Sequence, residues 1–262
     1  MKCLGLIGGI GWEATALYYR LINEDVRRRL GSLHSARAIV NSLSFDPLDT
    51  LVQMERWAEA AGILADAARQ LEQAGAEAIL ICSSQMHCVA EQVQAAVDIP
   101  LLHLGAAIGQ SLGRARDDIG LLCTRFTAER GFLLEPRPDY PHWRKRRIHT
   151  AAPADAERLD QICRELGRGV ARPESGVELL RIAKSLRIRG ARRVILAASE
   201  LALLPLPEAA PLWLDDGTEL HVSAAVSWAL GEAKPPADFS RSTMSEHPGG
   251  PLLKRSRVPA FA

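Results

Sequence analysis

Three consecutive residues, Cys82-Ser83-Ser84, are the first group whose position in the sequence indicates chemistry. They follow an apolar run at residues 78–81 that is typical of a buried strand. Ligands of open α/β sheets bind at the carboxyl ends of strands, where helix amides favour a thiolate and lower its pKa from about 8.5. The position therefore predicts that Cys82 is a base or nucleophile, with a buried structural cysteine as the alternative. His87 either tunes this thiolate or is a satisfied core residue.

A second group is the glycine-rich turn at residues 8–11, after the first apolar run. Glycines let the backbone turn tightly and bring amides close to an anion at a helix N-terminus. Residues 9–14 also fit a loose dinucleotide-binding pattern, but Asp46 lies too far along the chain to complete it. The turn predicts carboxylate binding near Gly9, with a tight turn that holds no ligand as the alternative.

The cysteines indicate reduced thiols rather than a disulfide framework or a metal site. Their number, five, is odd, and they show no paired spacing, which is typical of a cytoplasmic protein. Only Cys82, His87 and Cys88 cluster locally, and their spacing does not match common zinc sites. We expect a cytoplasmic location and no bound metal.

Composition excludes two classes of partner. The chain has 262 residues, 47% of them hydrophobic, with 32 Lys+Arg against 31 Asp+Glu and a net charge of +1. This balance lacks the positive footprint of a nucleic-acid-binding protein. The longest apolar stretch, residues 194–214, is interrupted by acidic residues and prolines, so it does not predict a membrane span. We expect a small-molecule partner, with no nucleic acid and no membrane.

Short apolar runs alternate with longer segments of helical period, which predicts an α/β fold with largely parallel strands. The segment at residues 51–74 is the clearest helix, because its apolar residues recur at three- and four-residue steps. Strand–turn–helix units carrying Cys82-Ser83-Ser84 and Ala198-Ser199-Glu200 lie at comparable places in the two halves. Strands are predicted at residues 2–8, 36–42, 78–82, 118–122, 146–149 and 194–197, and helices at 12–29, 51–74, 154–167, 176–187 and 218–230.

Three further segments carry weaker predictions. The prolines at residues 136–143 indicate a loop. The basic run at residues 144–147 predicts a solvated strand edge, with an anion site as the alternative. After residue 231 the composition shifts to Pro, Ser, Arg and Gly, which predicts a tail at residues 232–262 without stable structure.

An ordered set of motifs resembles the aspartate/glutamate racemase family. The resemblance spans about residues 2–230. It implies two similar α/β lobes with the active site in the cleft between them, the first lobe at residues 1–105 plus 216–231 and the second at 106–215. It also implies a homodimer, and activity without pyridoxal phosphate, metal or any other cofactor. The motifs are residues 5–15 followed by Tyr18, Tyr19 and Asn23, then residues 80–87, 99–103, 120–127 and 194–201.

The resemblance also implies a mechanism. In the family, one cysteine from each lobe faces each side of the substrate α-carbon, and one thiolate removes a proton while the opposite thiol delivers one. Cys82 matches the first-lobe cysteine, with Ser83 and Ser84 as adjacent contacts to the substrate carboxylate. Ser199 and Glu200 match the substrate-binding pattern of the second lobe.

The second-lobe cysteine itself is missing. The family's Gly-Cys-Thr-Glu motif reads Ala-Ala-Ser-Glu here, so Ala198 stands at the cysteine position. Cys123, at the carboxyl end of a predicted strand, is a substitute acid or base. Ser84 stands where an Asn is expected, and the loop at residues 43–48 lacks the Arg that some aspartate-selective members carry. These departures leave the identity of the substrate open.

Three functions follow from these residues. The first is an amino-acid racemase or epimerase, an isomerase acting on aspartate-like or glutamate-like substrates, in which another group replaces the second cysteine. The second is a one-cysteine lyase such as a decarboxylase, which protonates an enediolate on one face. The third is a ligand-binding protein that retains the cleft without turnover.

Overall fold

The computed structural model describes residues 1–113, 117–134, 146–206 and 211–234. Its first half contains β1 (Leu4–Gly8), α1 (Trp12–Leu30), β2 (Ala38–Ser42), α2 (Phe45–Gln53), α3 (Trp57–Gln73), β3 (Ala78–Ile81), α4 (Ala90–Gln94) and α5 (Leu104–Leu112). Its second half contains β4 (Ile119–Leu122), α6 (Arg125–Arg130), β5 (Ile148–Thr150), α7 (Pro153–Leu166), α8 (Pro173–Ile188), β6 (Arg193–Leu196), β7 (Leu214–Asp216) and α9 (Gly217–Ala229). Short 3-10 turns occupy Gln85–Val89, Phe132–Leu134 and Ser199–Leu203.

The strands form two parallel sheets. The first has the order β2-β1-β3, and the second has the order β5-β4-β6-β7. In the first sheet Leu101 forms a parallel bridge to Ile79 of β3. This bridge lies on the same side of β3 as β7 lies on β6 in the second sheet. The central strands are fully buried on both faces, which explains their continuous apolar runs.

The two sheets repeat one hydrogen-bonding register. In the first sheet Ile7 of β1 is opposite Ile81 of β3, and in the second Leu122 of β4 is opposite Leu196 of β6. Each residue of one central pair thus corresponds to the residue 115 positions later in the other, the separation that also joins Ser84 to Ser199. The central strand pairs of the two sheets are therefore equivalent residue for residue.

Each sheet receives a helix from the other half of the chain. α9 follows β7 of the second sheet, but its Val222 and Val226 pack in the core that contains Leu4 and Leu6 of β1. α5 follows the Leu101 edge of the first sheet, and its Leu104 packs in the core of the second sheet. These two helices connect the sheets through buried apolar surface.

The predicted fold class is confirmed, since the chain forms two parallel sheets flanked by helices. The predicted strands overlap β1 to β6, and four of the five predicted helices match α1, α7, α8 and α9. The helices α7 and α8 each begin with a proline, which the first helical turn tolerates because its N–H has no intrahelical acceptor. The exact lobe boundaries stay a prediction.

The single helix predicted over residues 51–74 is wrong. The structure divides it into α2 and α3 at a turn where Glu55 adopts the left-handed conformation, with φ of 55°. The Arg56 N–H donates to the carbonyl of Leu51, and this bond closes the turn. Side-chain periodicity continues across such a turn, so the apolar pattern alone did not show the break.

Other segments were not predicted, or lie outside the described residues. β7 was missed because its three residues include two aspartates, and α5 because no motif marked it. The loop at residues 136–143, Arg144 and Lys145 of the basic run, and residues 235–262 of the tail lie outside the described residues. Arg146 of the same run donates hydrogen bonds to the carbonyls of Leu112 and Gly113. Within the described ranges, no helix is both long enough and apolar enough to cross a membrane.

Gly105, in the first turn of α5, tests how tightly the two halves pack. A Cβ at this position would lie 1.8 Å from the carbonyl oxygen of Leu133. We predict that Gly105→Ala lowers the free energy of unfolding by about 1–3 kcal/mol, because backbone must move to accommodate the methyl group. Gly62→Ala, on an exposed face of α3 with nothing within 4 Å, is the control and should raise stability by about 0.5–1 kcal/mol. Urea unfolding checks both values, and an unchanged midpoint for Gly105→Ala would contradict the prediction.

Candidate functional site

The carboxyl ends of β3 and β6 meet through two serines. The backbone N–H of Ser84 donates to Oγ of Ser199 at 3.4 Å, and Oγ of Ser199 donates to Oε2 of Glu200 at 3.4 Å. Both serines are buried, and burial raises the pKa of the Glu200 carboxyl. The structure thus brings together three of the predicted ligand-binding residues, one from the first half and two from the second.

Cys82 lies two residues before Ser84, in the hydrophobic core of the first sheet. Its N–H donates to the carbonyl of Ile7 at 2.9 Å, and its side chain is fully buried among Leu80 and Tyr18. Burial raises the pKa of the thiol, where we expected helix amides to lower it. The expectation was wrong because the following 3-10 turn starts at Gln85 with Ser84 as its cap, so Cys82 lies outside that helical end.

The side chain of His87 is hydrogen-bonded to the backbone of Ser83. Nδ1 of His87 donates to the carbonyl of Ser83 at 2.9 Å, and Nε2 accepts from the N–H of Leu104 at 3.2 Å. Both ring nitrogens therefore pair with backbone groups. This arrangement agrees with the interpretation of His87 as a satisfied core residue.

The second sheet places two cysteines near its carboxyl end. Cys123 follows β4, and burial together with the negative charge of Asp160 raises the pKa of its thiol to about 12. Cys163 of α7 lies within electrostatic reach of Cys123 and Glu200, and burial raises its pKa well above the ordinary value. Both groups are neutral thiols near pH 7. In the repeat of 115 residues, Cys123 corresponds to Gly8 rather than to Cys82.

Gly9 serves the backbone at the end of β1. Its φ is 77°, and a Cβ there would lie 2.0 Å from the carbonyl oxygen of Leu43. Its N–H already donates to Oγ1 of Thr15 at 2.9 Å. The glycine is thus required by a close backbone approach, and carboxylate binding by this turn stays a prediction.

A buried polar group that the sequence analysis missed lies beside Cys82. Nε2 of His221 donates to the carbonyl of Leu102 at 2.7 Å, so its Nδ1 must accept from the hydroxyl of Tyr18 at 2.9 Å. Burial lowers the pKa of His221 to about 4 and keeps it neutral. Burial raises the pKa of Tyr18, and electrostatic interactions with the acidic groups of Cys82, Asp216 and Glu200 raise it further. These side chains lie around Tyr18. Asp216 is the one of them that the sequence analysis did not name, and the Asp-Gly-Thr sequence before the predicted last helix, which is typical of an N-cap, could have revealed it.

In the part of the chain that the structure describes, no group of three His, Cys, Asp or Glu side chains is placed to hold a metal ion. The polar groups at this end of the sheets are instead hydroxyls, carboxyls and backbone amides. Such groups suit hydrogen bonding to a small charged organic ligand.

Asp216 gives this region a testable dependence on pH. It caps α9 by accepting from the N–H of Thr218 at 2.7 Å, and burial raises its pKa from 3.8 to about 6. Stability from the protonated form is present below the unfolded pKa and is lost as pH rises through the folded value. We predict that Asp216→Asn, which keeps the cap, gains on the order of 1–3 kcal/mol at about pH 7.5 and loses most of that gain at about pH 4. Urea unfolding at both values tests this, and an equal gain at both would contradict it.

Comparisons with known proteins agree with the fold and with the motifs. The sequence profile of the family described as Asp/Glu/Hydantoin racemase matches residues 7–225. A crystal structure from Yersinia pestis, provisionally assigned as an Asp/Glu racemase, is similar with 38% identity and a TM-score of 0.76, covering 88% of this chain and 100% of that one. An aspartate racemase homologue from Pyrococcus horikoshii OT3 shares 27% identity with a TM-score of 0.73 over the same fractions.

A third structure extends the likeness at the level of the fold. The aspartate racemase from Picrophilus torridus shares 15% identity with a TM-score of 0.71, covering 88% of this chain and 95% of that one. The family profile covers most of the chain, including most of both sheets and the Ser84–Ser199 contact between them. On this evidence the chain belongs to the Asp/Glu/hydantoin racemase family.

Proposed function

We propose that this protein binds an acidic amino acid or a related carboxylate between its two sheets and does not racemise it by the two-thiol mechanism. One observation carries the proposal. Ser84, Ser199 and Glu200 are joined by hydrogen bonds at the site, but Ala198, which stands at the position of the second-lobe cysteine, offers only a methyl group. Inversion of a stereocentre needs an acid and a base on opposite faces of the carbon. A methyl group can be neither.

The ligand class follows from the polar groups that surround the contact. The hydroxyls of Ser83 and Ser84 suit hydrogen bonding to a carboxylate. Ser199 and the buried carboxyl of Glu200 suit an ammonium group, because a cation offsets the cost of burying a negative charge. An α-amino acid carries both groups on one carbon. The solved relative from Pyrococcus horikoshii OT3, described as an aspartate racemase homologue, supports aspartate as the first ligand to test.

One-sided proton transfer by Cys82 is the second candidate function. It is supported by the place of Cys82 directly after β3, within the motif that resembles the first-lobe cysteine motif of the family. A single thiol could exchange the α-proton of one enantiomer with retention. If inversion occurs, Cys123 is the proposed second acid or base.

Neither proposed role of the thiols requires a cofactor. The homodimer and the cytoplasmic location stay predictions.

Isotope exchange separates the two candidates. We predict that the unmodified protein, incubated in heavy water with D-aspartate, L-aspartate, D-glutamate or L-glutamate, yields neither the opposite enantiomer nor α-deuterium. Ala198 removes the second acid or base, and burial raises the pKa values of the Cys82 and Cys123 thiols, which disfavours the thiolate that exchange requires. Proton NMR and chiral chromatography follow the two products. Exchange with retention that Cys82→Ser removes would establish the second candidate. Inversion that Cys123→Ser removes would contradict the proposal.

Binding tests the role of Glu200. We predict that Glu200→Gln weakens aspartate binding by about 10- to 100-fold, since a charge-assisted hydrogen bond to the ammonium is lost. Succinate, which lacks the ammonium, should bind the variant and the unmodified protein with affinities within about twofold of each other. Isothermal titration calorimetry measures both ligands. Glu174→Gln, an exposed carboxylate of α8, is the control, and equal losses for aspartate and succinate would contradict the assignment.

A further inference from the structure

The repeat of the two sheets fixes which residues occupy equivalent places at the ligand site. The N–H of Cys82 donates to the carbonyl of Ile7 at 2.9 Å, one residue past the last pair of β1 and β3. The equivalent bond in the second sheet is donated by Ala197 to the carbonyl of Leu122 at 2.8 Å. Cys82 therefore corresponds to Ala197, and Ser83 corresponds to Ala198.

The packing of the side chains agrees with this register. Cys82 continues the face of β3 that carries Leu80, in the core under α1 and α9. Ala197 continues the face of β6 that carries Ile195, in the core under α5. Ala198 belongs to the opposite face, with Leu196 under α7 and α8. A shift of one residue along a strand turns the side chain to the other face of the sheet.

We infer that Ser83, not Cys82, occupies the first-lobe position that pairs with Ala198 across the ligand site. The next equivalent pair, Ser84 and Ser199, is the one that makes the contact between the two lobes. A ligand bound at that contact meets equivalent positions from both sides, which places a hydroxyl on one side and a methyl group on the other. The inference rests on the proposed function for the place of the ligand, and it deepens that function because it leaves neither paired position with a thiol.

Thiols restored at the paired positions test the inference. In Ser83→Cys/Ala198→Cys one thiolate takes the α-proton and becomes a thiol, while the opposite thiol gives its proton to the other face of the carbanion and becomes a thiolate. Protons balance over the turnover, and no cofactor or oxidant is needed. We expect racemisation of aspartate to rise on the order of 100-fold or more above the unmodified protein.

The matched control is Ala198→Cys alone, which leaves Cys82 as the only first-lobe thiol beside the site. We expect this variant to bind aspartate without racemising it, because Cys82 lies on the other face of its strand. Racemisation by Ala198→Cys that Cys82→Ser then removes would overturn the inference. A double variant that binds aspartate in calorimetry but neither exchanges nor inverts it would also overturn the inference.

Thiol labelling keeps the inference testable if the double variant does not fold or aspartate does not bind. Iodoacetamide labelling of the single variants, followed by peptide mass spectrometry, compares the thiols introduced at positions 83 and 198 with Cys82 of the same molecules. We expect both introduced thiols to react several-fold faster than Cys82, because Ser83 and Ala198 are 2% and 4% exposed whereas Cys82 is 0% exposed. Faster labelling of Cys82 would overturn the inference. Absence of aspartate binding in the unmodified protein would instead contradict the proposed function.

Discussion

The exchange of two helices between the sheets is the constraint on which the site depends. α9 leaves the second sheet and buries Val222 and Val226 against the first, while α5 leaves the first and buries Leu104 against the second. Each helix starts at the carboxyl ends of the strands of one sheet and packs against the other sheet. The two helices therefore hold the carboxyl ends of the two sheets together. The Ser84–Ser199 contact is a consequence of this packing rather than its cause, since one long hydrogen bond contributes only about 1 kcal/mol.

Buried polar groups give the crossing helices a fixed position. His221 of α9 bridges Tyr18 of α1 and the carbonyl of Leu102. Its Nδ1 accepts from Tyr18 and its Nε2 donates to Leu102. Such a fully satisfied group specifies one register of α9 against the first sheet. Burial lowers the pKa of His221, and protonation would also break the bond that Nδ1 accepts from Tyr18. An uncharged hydrogen-bond network of Tyr18, His221 and the Leu102 carbonyl therefore supports the positions of Cys82 and Ser83.

The sequence predicted the central strands well, because strands buried on both faces read as continuous apolar runs. It also predicted Ser84, Ser199 and Glu200 as substrate-binding residues through motif resemblance, and the structure joins these three residues by hydrogen bonds. The break at Glu55 and the strand β7 were not predictable, since one depends on a single backbone angle and the other on a tertiary edge.

The distinction between Cys82 and Ser83 could not be read from the sequence either. A motif gives the order of residues but not the pairing register that assigns each side chain to a face. The chemistry expected from a cysteine drew the interpretation to Cys82, whereas hydrogen bonds to Ile7 and Leu122 set the equivalence. A shift of one residue thus separates a chain with one acid–base thiol at its site from a chain with none.

A crystal structure with bound aspartate tests this account most directly. We expect the α-carbon of aspartate to lie between Oγ of Ser83 and Cβ of Ala198, with the ammonium at Glu200. Sγ of Cys82 should lie farther from the α-carbon than Oγ of Ser83 does. An α-carbon in contact with Sγ of Cys82, or an aspartate bound away from the Ser84–Ser199 contact, would contradict the account.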